Sequence, residues 1–182
     1  MGLDIKSKSK IVTKKESPEA YEFNMLLDAE TETMYVNPDF KSHMSEYNSE
    51  DSDDNILDYV KTEDSKEFGF SVGSYQAYNK FRNMLSNAVL GADAETVWDN
   101  ADTYKDKPMY FLIDFSDCEG AMDSSVCQKL LTDFIENREK FINFIKEDNE
   151  IGDMDVQHYT EQYDNWVSAL EVGADEGVLI FA

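Results

Sequence analysis

Carboxylates are the only chemistry-bearing side chains this sequence offers in quantity. Two groups stand out: Glu50, Asp51, Asp53 and Asp54 with Asp58 just after them, and Asp114, Asp117 and Glu119 with Asp123 beyond. Acids at such spacing can ligate a divalent cation, share a proton as an acid/base pair, or present charge to a basic partner. The first group lacks the glycine and the distal glutamate of a calcium loop. In the second, setting Gly120 at the loop glycine puts Phe115 at the first ligand position and Val126 at the last, and neither can ligate. A solvated turn with acids at a helix N-terminus explains the second group better. A cation or paired-carboxylate site there is the minority alternative. His43 and His158 lie far apart, with no Gly-x-Ser-x-Gly or phosphate-cradling loop to suggest a nucleophile. Cys118 and Cys127 have eight residues between them and no second pair at zinc-site spacing, so both read as reduced thiols. No catalytic residue, metal or cofactor is expected.

The elements that must position these acids are read from periodicity. Met109–Ile113 is a short apolar run between Pro108 and Asp114 and predicts a buried strand. A polar corner, 114–120, follows. Next comes the clearest helix, with Val126, Cys127, Leu130, Leu131, Phe134, Ile135, Phe141, Ile142 and Ile145 on one stripe and Asp123 or Ser124 as N-cap. A second helix is predicted from Ser74 to Gly91, through Tyr75, Tyr78, Phe81, Leu85 and Val89, after the extended run 68–73. A short helix over 94–100 carries Val97 and Trp98 as anchors. A third long helix is predicted over 155–174, through Tyr159, Tyr163, Trp166 and Leu170, with Gly173 and Gly177 breaking it. Val178–Phe181 is a strand expected to pair with 110–113.

The N-terminal third is harder to read. Residues 1–15 hold five lysines and one aspartate and read as a basic tail or edge, with Ile11 and Val12 as a short strand. Alternation at Tyr21, Phe23 and Met25 predicts a strand whose hairpin partner is 34–36, the turn being the acids 28–32. Residues 41–67 are an acidic loop or appended element: either a long mobile loop, or a loop with one short helix docked through Ile56, Leu57, Tyr59 and Val60. The fold class is α+β: a small, mostly antiparallel sheet with three packed helices and an acidic loop insertion, in a single domain 1–182.

Charge narrows the function classes. The chain carries 39 acidic and 16 basic residues, net −23. Such a field repels nucleic acid and anionic membranes and attracts basic surfaces. Neither direct duplex DNA binding nor membrane insertion is expected, and no apolar run approaches the length of a bilayer span. The plain alternative is that the charge serves solubility.

Three stretches add a resemblance: Met1-Gly2-Leu3-Asp4, Gly73-Ser74-Tyr75 with Tyr78-Asn79-Lys80-Phe81-Arg82, and Ser116-Asp117-Cys118-Glu119-Gly120 with Cys127. The end of the chain, Leu170–Ala174 and Leu179–Phe181, continues the likeness. The set resembles a family of small acidic proteins of phages and mobile elements of Firmicutes, and is similar to phage anti-CRISPR proteins acting on type II RNA-guided nucleases. The resemblance implies a non-enzymatic inhibitor in the cytoplasm of the infected bacterial host, whose partner is a guide-RNA-loaded nuclease. Its carboxylates would then lie where phosphates lie, or clamp the loaded complex. The expected contacts are Glu50, Asp51, Asp53, Asp54, Asp58, Asp114, Asp117 and Glu119. Two other readings stand beside it: an acidic phage interaction or structural protein, including a homo-oligomer built through aromatic helices, and a carboxylate- or metal-dependent enzyme.

Overall fold

The computed structural model describes residues 2–13, 31–35, 43, 56–115, 120–148 and 151–182. Among them are seven strands in two sheets and six helices, an α+β architecture. The first sheet has the order β5-β1-β7-β6, with β1 at Leu3–Lys8, β5 at Glu67–Gly73, β6 at Gly120–Asp123 and β7 at Val178–Phe181, and every pairing is antiparallel. The second has the order β2-β4-β3, with β2 at Ile11–Thr13, β3 at Thr31–Tyr35 and β4 at Ile56–Lys61. The long helices are α1 (Tyr75–Leu90), α5 (Ser124–Glu147) and α6 (Asp153–Ala174). Short ones are α2 (Ala94–Asp99), α3 (Ala101–Tyr104) and α4 (Tyr110–Asp114).

The basic tail is not a tail. Leu3, Ile5 and Ser7 are buried while Asp4 and Lys6 are exposed, and β1 is an interior strand of the first sheet. Leu3-Asp4-Ile5-Lys6 alternates with period two, and pairing on both sides turns that alternation into one apolar and one charged face. The apolar face meets the helices through Trp166. Its ring lies edge-on to Phe70 at 5.3 Å and packs with Phe181 at 5.9 Å and Tyr78 at 6.1 Å. Helices α5 and α6 lock through Phe134 and Tyr163, 4.7 Å apart, and the Tyr163 hydroxyl donates to the Phe134 carbonyl at 2.6 Å. On the opposite face of the sheet, Ala121 and Val178 pack with Tyr59 and Ile11, so β7 is covered on both sides. That accounts for its unbroken apolar sequence. Gly177 makes the approach to β7 feasible: a Cβ there would lie 2.1 Å from the Lys8 carbonyl oxygen.

Ser74 caps α1 through its side-chain oxygen, and left-handed Gly91 ends it where the sequence places a terminating glycine. Asp123 caps α5. Several other expectations fail. Met109–Ile113 is not a strand; Tyr110–Asp114 is helical. Its ends are satisfied by distant side chains: Asp133 Oδ2 accepts from the Met109 N–H at 2.9 Å, and Trp98 Nε1 donates to the Ile113 carbonyl at 2.8 Å. Periodicity over five apolar residues cannot register such partners. In consequence β7 pairs with β1 and β6, not with 110–113. Ile56, Leu57, Tyr59 and Val60 belong to β4, the middle strand of the second sheet, rather than to a docked helix. The partner found for Met34 and Tyr35 is likewise β4, while the expected first arm of their hairpin, 21–25, lies outside the described residues. Gly173 does not break α6; it is a buried helix residue facing Cys127.

Candidate interaction surface

Helix α6 is amphipathic in a lopsided way. Its inner stripe, Tyr159, Gln162, Tyr163, Trp166, Ala169, Leu170 and Gly173, is buried. Its outer side exposes Asp153, Glu161, Asp164 and Glu171, and Asp175 and Glu176 follow directly; Asp155 is exposed in the first turn but continues the line of the inner stripe towards Lys80. From 151 to 182 the chain has seven acids and no lysine or arginine. The neighbouring α5 differs, with four acids and four bases over 24 residues. Twenty-two residues at about 1.5 Å each make α6 about 33 Å long. Its seat on Trp166 and Tyr163 fixes the direction of the acid row.

Local chemistry partly relieves the crowding of like charge. Asp153 and Asp155 lie in the first turn of α6, whose Gly152 N-cap supplies no side-chain bond, so the helix dipole stabilises both carboxylates. Arg138 of α5 grips Asp164 with bonds of 3.0 to 3.1 Å. Lys80 of α1 hydrogen-bonds Tyr159, which holds the ammonium pKa above its ordinary value, with Asp155 and Asp148 adding to the effect. Glu161 accepts from Gln157. A second acidic stretch runs through Asp93, Glu95, Asp99, Asp102 and Asp106, all exposed and diluted by Lys105 and Lys107.

The contact residues expected from the sequence are not assembled into one site. Glu50, Asp51, Asp53, Asp54, Asp117 and Glu119 lie outside the described residues. Asp58 stands in β4 opposite Thr33. Asp114 ends α4, half-buried, and its carboxylate together with burial pushes the Tyr110 hydroxyl pKa up to about 12, burial being the larger cause. The α6 row was missed because charge was summed over long segments. The signal that finds it is the absence of any Lys or Arg after residue 150.

The C-terminal end of α4 is held by Arg82, which is 4% exposed. Its guanidinium donates to the carbonyls of Ile113, at 3.3 Å, and Phe115, and to Asn79 Oδ1. It lies over Tyr78 at 4.4 Å and over Trp98 at 5.2 Å. Two aromatic faces and the carbonyl end of α4 thus stabilise a buried cation. His43 bridges to Met122 and lies between the rings of Phe111, 5.0 Å away, and Phe115, 5.4 Å away; His158 is exposed on α6. Cys127 is buried, and desolvation raises its thiol pKa far above normal. Among the described residues no group of His, Cys, Asp and Glu is arranged to hold a metal, and no helix is long and apolar enough to cross a membrane. Searches of protein-family models, curated proteins and solved structures found no match to this chain.

Proposed function

We propose that this protein is a binding inhibitor that presents carboxylates to the basic groove of a nucleic-acid-handling enzyme, with a guide-loaded type II RNA-guided nuclease as the partner the family resemblance indicates. The observation that carries the reading is α6: a 22-residue helix whose outer side bears acids and no base. Its length of about 33 Å is close to one turn of B-DNA, about 34 to 36 Å. The outer carboxylates Asp153, Glu161, Asp164 and Glu171 run along about 27 Å of that length, Asp164 being shared with Arg138, and supply charge where a groove lined with arginines expects phosphates. The buried Trp166–Tyr163 anchor lets the row meet the groove without an ordering cost at binding.

The test is a pull-down and gel-shift with the guide-loaded nuclease, with and without target DNA, at low and high salt. Salt-sensitive binding that blocks DNA loading supports mimicry. Binding that persists or strengthens with DNA present assigns a clamp on the ternary complex. No association under any of these conditions overturns the reading.

A further inference from the structure

The two edges of the first sheet are treated differently. At β6, the His43 N–H donates to the Ala121 carbonyl at 3.1 Å and the Asp123 N–H donates to the His43 carbonyl at 3.2 Å, so that edge is occupied. At the other edge stands β5, seven residues long, and among the described residues no backbone group bonds its outer side. The strand Glu67-Phe68-Gly69-Phe70-Ser71-Val72-Gly73 has no lysine or proline, the usual devices that discourage pairing.

The direction of its free groups follows from β1. Asp4 exchanges both backbone bonds with Ala182, at 2.8 and 2.9 Å. Asp4, Lys6 and Lys8 therefore address β7, and Leu3, Ile5 and Ser7 address β5. Phe70 and Phe68, opposite Ile5 and Ser7, spend their backbone groups on β1. Glu67, Gly69 and Ser71 turn theirs outward.

We propose that this edge pairs with β5 of a second copy of the chain, antiparallel about Gly69, joining two sheets into one of eight strands. Parity permits this register: Gly69 faces Gly69 and Glu67 faces Ser71 as hydrogen-bonded pairs. Phe68 then faces Phe70 in the narrow, non-hydrogen-bonded positions, where cross-strand aromatic pairs are most favourable. Both phenylalanines are half-buried in one copy, so pairing covers their remaining surface. Glu67 meets no like charge, and it is already bonded to Lys61 at 2.8 Å and Lys8 at 3.4 Å. Around this border Lys6, Lys8, Lys61 and Lys66 stand against Asp4, Glu63, Asp64 and Glu67, which makes it close to neutral in an otherwise acidic chain and limits the repulsion between two copies there. An extended segment of another protein could use the same edge, but only a second copy makes the pairing self-complementary.

Sedimentation equilibrium of the full chain tests this. The expected result is a dimer that tightens as salt is added, because the two copies repel overall. Gly69→Pro removes an outward N–H and no donor to β1, its Cβ asking the Ile5 carbonyl oxygen, 3.3 Å away, to give by a few tenths of an ångström, so it should give a folded monomer with an unchanged circular dichroism spectrum. Two further variants read the register without proline: Ser71→Glu should weaken the dimer several-fold by facing Glu67 of the other copy, and Ser71→Lys should tighten it. A chain that stays monomeric at high protein and salt concentration overturns the proposal. So does a dimer that survives Gly69→Pro, or one on which the two Ser71 variants act alike.

Discussion

Helix α6 and strand β1 use the same core and differ in the charge they present to solvent. Each buries one side against the Trp166 cluster. The charged residues on the outer side of α6 are all acids, whereas β1 exposes one aspartate and one lysine, Asp4 and Lys6, and keeps Lys8 largely covered beside Glu67. A net charge of −23 is therefore not a uniform coat. The helical side is the more acidic of the two. Substitutions on one outer side leave the shared core untouched, so the two sides can be probed separately.

Removing that core should break both sides together. Trp166→Ala should cost about 3 to 5 kcal/mol, a typical penalty for truncating a buried large aromatic. Chemical denaturation should show a lowered midpoint with the α6 and β1 signals lost in one transition. Reversing charge on α6 should separate the sides instead. Glu161→Lys with Glu171→Lys should lower partner association by about fivefold to tenfold per charge at low salt and shift stability little. Lys6→Glu on β1 should leave that association unchanged or raise it. Equal losses from both variants in a titration against the nuclease would remove the distinction. A smaller effect is expected at the seam between α5 and α6. Arg138→Ala removes an exposed pair and should cost about 0.2 to 1 kcal/mol.

The smallest effect concerns Glu67, beside β1. Lys61 chiefly, and Lys8 with it, hold its carboxyl pKa below the ordinary value of 4.5. A depressed folded-state pKa means that its stabilisation is complete above 4.5 and is lost as pH falls through the lower folded value. Since Glu67 is half exposed, solvent screens the pair and the contribution is minor. Comparing Glu67→Gln with the parent by thermal melts should show a gap near neutral pH that closes in acid. A gap that widens in acid would contradict the assignment.

The long helices were legible because their stripes repeat over many turns: Tyr78, Phe81 and Leu85 in α1, and Phe134, Phe141 and Ile145 in α5, lie where periodicity puts them. Segments decided by distant partners were not. The run from Met109 caps and forms the short helix α4 through Asp133, Trp98 and Arg82, none of them local. In β1 the lysines masked a sound alternation, since composition was weighed above period. The acid row of α6 was legible in principle and overlooked, because an absence of bases is visible only when short windows are compared.

Cys127 has a practical consequence. Its sulfur lies where a Cβ on Gly173 would approach to 2.8 Å, so the seam between α5 and α6 has no room for a reagent. With Cys118→Ser it becomes the sole thiol, and the rate at which a thiol-reactive dye labels it measures how often the two helices part. Such a clock runs under native conditions, without denaturant, and a bound partner that grips α6 should slow it.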